Sequence, residues 1–111
     1  PTGQRNPLKA GVVSERTARD PAVRAWVLEN AKGDCEMCQL PGPFVTADGD
    51  NFLEVHHVRW LSQNGPDTIT NAVALCPNCH REAHYGSDPE AFVGILLSRV
   101  KRLKLEDIGN G

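Results

Sequence analysis

Cys35-Glu-Met-Cys38 and Cys76-Pro-Asn-Cys79 are two C-x2-C knuckles, and together they use every cysteine of the chain. Each knuckle turns its two sulfurs to the same side, so four thiolates can close on one tetrahedral ion at about 2.3 Å. That ion is expected to be zinc. It would clamp residues 35–38 onto 76–79 and restrict a long loop of the unfolded chain. Four sulfurs leave no open coordination position, so Cys35, Cys38, Cys76 and Cys79 form a structural site. A C-x2-C pair closes too tightly for a structural disulfide, and no secretion signal argues for one. The staple also answers a need: 111 residues with 5% aromatics make one domain with a small core.

The segments around the knuckles carry local signals. Residues 1–19 lack apolar periodicity and read as an arm or linker, with Arg5 and Lys9 available to a partner. Asp20-Pro21 starts a helix, as N-cap and first helical residue. Val23, Trp26, Val27 and Asn30-Ala31 then mark its buried face, and Gly33 stops it. Trp26 is expected in the core. Residues 44–47 and 52–58 flank Asp48-Gly49-Asp50-Asn51 as a hairpin. Residues 62–70 form a loop, and residues 72–75 a strand returning beside the first. Pro77 opens a helix that runs to about His84 and ends at Gly86. Ser87-Asp88-Pro89-Glu90 caps a last helix with an apolar stripe of Phe92, Ile95, Leu96, Val100 and Leu103. That stripe either buries in its own domain or pairs two copies into a homodimer. The domain is drawn over 20–105, with 106–111 as a tail.

All four histidines fall around this frame. His80 and His84, four apart on a helix, project from one face and can chelate one ion. His56 and His57 are adjacent on a strand, where neighbours face opposite ways. They can share a site only if the strand ends or bulges there. One would then bind metal and the other take a proton.

The stretch Leu53-Glu-Val-His-His-Val58, followed by Asp67-Thr-Ile-Thr-Asn-Ala-Val-Ala-Leu-Cys-Pro-Asn-Cys-His-Arg-Glu-Ala-His84, resembles the HNH endonuclease family. It is most similar to the zinc-framed branch that includes McrA-like, modification-dependent restriction endonucleases. The likeness runs from about Val23 to Gly86. It implies an α+β chain, a small ββα-metal nuclease domain with a four-cysteine zinc site and flanking helices. It also implies that His57 is the general base and Asn71 the residue bracing the loop between strands. His80 and His56 would be metal ligands. His84 matches the added helical histidine of colicin-type nucleases, which completes the ligand set. Many members have Asp at the position of His56 and Asn at that of His80. The three imidazoles here favour Mn2+, Co2+, Ni2+ or Zn2+ over Mg2+, which prefers oxygen ligands.

The activity so implied is hydrolysis of DNA phosphodiesters leaving a 5′-phosphate, with Arg59, Arg81 and Arg24 as candidate phosphate contacts. The competing reading is a zinc-ribbon module that binds DNA or protein and cuts nothing. Net charge is −2, yet residues 1–32 carry six bases against three acids, and Arg99, Lys101, Arg102 and Lys104 form a second basic block. Folding these ends together could present a basic face. No apolar run spans a bilayer and no signal peptide begins the chain, which opens on Pro1. A bacterial, cytoplasmic fragment of a longer chain with its own DNA-recognition domain is the expectation.

Overall fold

The computed structural model describes Gly3 and residues 19–109. The expected arm, with Arg5 and Lys9, therefore lies outside the described residues. Among the described residues, four helices, a short 3-10 turn and a two-stranded sheet follow one another: α1 (Pro21–Ala31), β1 (Glu54–His57), the turn Leu61–Gln63, β2 (Ala72–Leu75), α2 (Pro77–Tyr85), α3 (Pro89–Arg99) and α4 (Leu105–Ile108). The run β1, β2, α2 is the ββα unit expected of an α+β domain.

The helix starts follow the local chemistry. Asp20 caps α1 by accepting from the amide of Ala22 at 2.9 Å, with Pro21 at the first helical position. Asp88 does the same for α3 through Ala91 at 3.0 Å. Cys76 caps α2 with its sulfur, which accepts from Cys79 N. The second knuckle is thus also the start of a helix. At the other end of α1, Lys32 takes a left-handed conformation (φ 53°) and Gly33 continues it (φ 84°).

β2 is the centre of the molecule. All four of its residues are fully buried, and Val27, Leu53, Phe92 and Leu96 belong to the same core cluster. One edge of β2 pairs antiparallel with β1, in the register Glu54 with Leu75 and His57 with Ala72. Its other edge receives the first knuckle: Glu36 N donates to Ala74 O, and Ala74 N donates back to Glu36 Oε1. Glu36 is held by a bidentate Arg102, with both N···O distances 2.7 Å. Arg102 also donates to the carbonyls of Ile69 and Ala72. One guanidinium therefore joins the first knuckle, the loop before β2 and the C-terminal segment.

Three local expectations change. Trp26 is 42% exposed rather than core, with the Arg102 guanidinium carbon 5.2 Å from its ring centroid; Val27, one residue on, takes the buried position. The hairpin of residues 44–58 is short: a bridge between Val45 and Asn51, bonds from Thr46 N to Asp50 O and Phe52 N to Phe44 O, and a stack of Phe44 on Phe52, while Glu54–His57 pair with β2. The second basic block is divided: Arg102 is tied inward and Arg99 donates to Met37 O, while Lys101 and Lys104 are exposed.

The apolar stripe of α3 serves the protein's own core through Phe92 and Leu96, while Ile95 stays exposed. α3 ends at Arg99, and Val100 and Leu103 are buried beyond it. α4 spans the boundary drawn at residue 105, buries Ile108 and ties to the loop before β2 through Thr70 and Asp107 (2.5 Å). No helix of the described residues is long and apolar enough to cross a membrane.

Candidate active site

The four sulfurs lie within 4.8 Å of one another, and Cys38 Sγ is 3.9 Å from Cys76 Sγ. Four thiolates about 2.3 Å from one ion in tetrahedral array would sit about 3.8 Å apart, so the donor set fits zinc. A disulfide would bring two sulfurs to about 2.05 Å, and all four cysteines are free. Burial raises the Cys35 thiol, but amides of Cys76, Cys38 and Met37 outweigh it and lower it overall. Burial pushes the Cys38 and Cys79 thiols up, and for both the charge on Cys35 adds to it. The cluster thus favours a thiolate at Cys35, while Cys38 and Cys79 resist ionising until a cation offsets their charge.

A second cluster faces it across the start of α2. Ring nitrogens of His56, His80 and His84 lie within 4.8 Å of one another, with ring centroids 5.0–5.1 Å apart. The strand supplies His56 and the helix supplies the pair one turn apart. The His80 amide bonds to the Cys76 carbonyl, so the cysteine frame sets where this helix face begins. Burial pulls the buried His56 down to about 3, helped by the charges of His80, His84 and His57. Burial, then His80 and Arg81, lower His84. Neutral imidazoles are what a metal ion requires. Glu54, on the same strand face as His56, reaches His80 Nδ1 at 3.1 Å, which leaves Nε2 of that ring for an ion.

His57 is the last residue of β1 and faces away from this cluster. Its Nε2 lies 2.7 Å from Asp67 Oδ1, and the other Asp67 oxygen accepts from Asp20 N at 2.5 Å. His57 and His80 nevertheless line one cleft of about 450 Å3, with Asp67, Glu54, Arg19 and Arg24 on its walls. The strand end thus puts adjacent histidines to separate uses beside one cavity.

Asn71 is fully buried and uses its whole amide. Oδ1 accepts from Arg59 N (2.9 Å), and Nδ2 donates to the carbonyls of Arg59 (3.0 Å) and Pro66 (2.8 Å). It closes the loop between the strands on itself. Gly65 belongs to that closure, since a Cβ there would lie 1.9 Å from Arg59 O. Of the candidate phosphate contacts, Arg24 lines the cleft. Arg59 donates to Gln63 O instead, and Arg81 is exposed on α2 near His84.

Two polar residues at the site were not singled out in the sequence. Glu54 could have been, since strand alternation puts it on the face of His56. Asp67 carries no such signal, because its contact with His57 crosses ten residues of loop. Trp60, also unassigned, sits 4.8 Å from the His84 ring.

Residues 35–86 match the HNH endonuclease family. Over 104 residues, 94% of the chain, the sequence is 45% identical to the type IV methyl-directed restriction enzyme EcoKMcrA of Escherichia coli (strain K12), and the chain spans 38% of that relative's length. The structure of the type IV phosphorothioation-dependent restriction endonuclease ScoMcrA is similar with a TM-score of 0.65 and 35% identity, over 82% of this chain and 20% of that one.

Proposed function

The chain belongs to the HNH endonuclease family, and from that premise we propose that it is the cleavage module of a modification-dependent restriction enzyme. Its substrate is DNA, hydrolysed at phosphodiester bonds. The observation that carries the reading is the convergence of His56, His80 and His84 beside a cleft lined by His57 and two arginines. A zinc ribbon that only binds has no use for three imidazoles clustered at ligand distance.

His56, His80 and His84 would hold one divalent cation, and Cys35, Cys38, Cys76 and Cys79 a structural zinc. When bound, the cation supplies Lewis-acid stabilisation of charge on phosphate oxygens. An all-imidazole set suits Mn2+, Co2+, Ni2+ or Zn2+ better than Mg2+. His57 accepts a proton from the attacking water. Asn71 keeps the intervening loop shut, so that His57 and the cleft wall hold their places. Arg24 and Arg19 offer positive charge to a phosphate entering the cleft.

The two relatives are named for different DNA modifications, which supports modification dependence in general and neither mark in particular. The short span relative to EcoKMcrA supports a longer protein in which another domain reads the modification. A bacterial cytoplasm, where incoming DNA is met, fits this role. One such site cuts one strand, so a double-strand break takes a second copy.

The test is plasmid nicking by the purified protein with Mn2+, Co2+ or Ni2+. His57→Ala should abolish nicking while the structural zinc is retained. Equal nicking by parent and variant would show that the activity does not come from this site.

A further inference from the structure

Asp67 stands ten residues from His57 in sequence, yet both of its oxygens are committed at the cleft. Oδ1 meets His57 Nε2 at 2.7 Å, and Oδ2 accepts the Asp20 amide at 2.5 Å. The pair is well covered, with side chains 9% and 16% exposed. A carboxylate only accepts, so the ring nitrogen facing it must carry the proton. Nδ1 is then the one ring nitrogen with a free lone pair. The segment holding Asp67 is fixed from three directions: Asn71 on the Pro66 carbonyl, Thr68 on Thr70 and Thr70 on Asp107.

We propose that Asp67 is a positioning residue that sets the tautomer of His57, placing the proton on Nε2 and reserving Nδ1 to accept the proton of the attacking water. The inference deepens the nuclease reading and rests on it. In the step, the water proton moves to Nδ1, the water oxygen bonds to phosphorus, and the bond from phosphorus to the leaving 3′ oxygen breaks. That oxygen takes its proton from solvent. The ring then holds two N–H groups, and the Asp67 carboxylate faces the resulting charge without being protonated. Burial tends to raise the Asp67 carboxyl, but the Asp20 amide, the His57 bond and charge, and Arg19 outweigh it and keep it ionised.

Asp67→Asn tests the assignment because one amide cannot serve two donors. The Asp20 N–H is fixed backbone, so the amide oxygen must stay with it. The NH2 group then faces His57 and turns Nε2 into an acceptor, driving the proton to Nδ1. The experiment is 15N imidazole NMR of the intact protein, with the His57 signal assigned by its loss in His57→Gln, together with nicking kinetics. The parent should show a protonated Nε2 and a bare Nδ1, and Asp67→Asn the reverse. The same variant should lose about 10^2- to 10^4-fold in kcat with KM little changed. Zinc content and thermal midpoint should be unaltered.

A purely structural Asp67 would leave the tautomer and kcat alone. A parent ring protonated on Nδ1 overturns the proposal, as does a variant that keeps tautomer and kcat. The parent spectrum stands even if the variant does not fold. Should it show Nε2 protonated while parent and His57→Ala nick alike, the tautomer assignment holds and the nuclease reading fails.

Discussion

Replacing Asn71 by alanine should loosen one loop before it unfolds the protein. The side chain makes three hydrogen bonds of 2.8–3.0 Å, to Arg59 N, Arg59 O and Pro66 O. At a net contribution of about 1 kcal/mol each, their loss amounts to about 3 kcal/mol. Arg59 and Pro66 are only part-buried, so water can reach the stranded groups and hold the figure near that level. Asn71→Asp should be at least as harmful, since it turns a second oxygen toward two carbonyl oxygens in a fully buried position. For a domain of this size about 3 kcal/mol is a large share of total stability. Hydrogen exchange read by mass spectrometry should show faster exchange over residues 59–71, with β2 and α1 less affected. Urea unfolding of the zinc-loaded protein gives the global loss. Nicking should fall, because the same loop carries Asp67 to His57. Unchanged exchange in 59–71 and a loss under about 0.5 kcal/mol would refute the bracing role and leave Asn71 an ordinary turn residue.

Acid should weaken the metal-free protein through His56. Its folded pKa is about 3 against 6.5 ordinarily, so as pH falls below 6.5 the unfolded chain takes a proton that the folded one refuses. Stability is therefore full above about pH 6.5 and declines toward pH 3, by up to about 5 kcal/mol in all. Urea midpoints from pH 7 to 4 should fall less steeply in His56→Gln than in the parent; equal slopes would argue against a buried neutral His56. Removal of the structural ion is the other lever. The raised thiols of Cys38 and Cys79 mean that zinc uptake should release protons into a weak buffer. Chelation should cost helical circular dichroism, since Cys76 caps α2; a chelated protein with an unmoved thermal midpoint would show that the cysteines do not hold the fold.

What the sequence determined by itself is what short-range chemistry sets. Asp20-Pro21 and Asp88-Pro89 start helices because an N-cap oxygen and a proline act within three residues. The C-x2-C spacing presents paired sulfurs wherever it folds, and His80 with His84 share a helix face by the 3.6-residue repeat. The order of these parts is enough to identify the family. Tertiary structure decided everything that depends on which neighbour arrives from far along the chain. Trp26 and Val27 both suit a helix face, and packing against β2 buried the smaller one. The stretch of residues 52–58 could pair within a hairpin or with residues 72–75, and the fold divides it: Phe52 bonds back to Phe44, whereas Glu54–His57 pair with β2. Arg99 and Arg102 look like free charge until the first knuckle and the loop before β2 meet them. Asp67 reads as one more turn residue until a closed loop sets its carboxylate against His57, because a hydrogen bond depends on distance in space and is blind to distance in sequence.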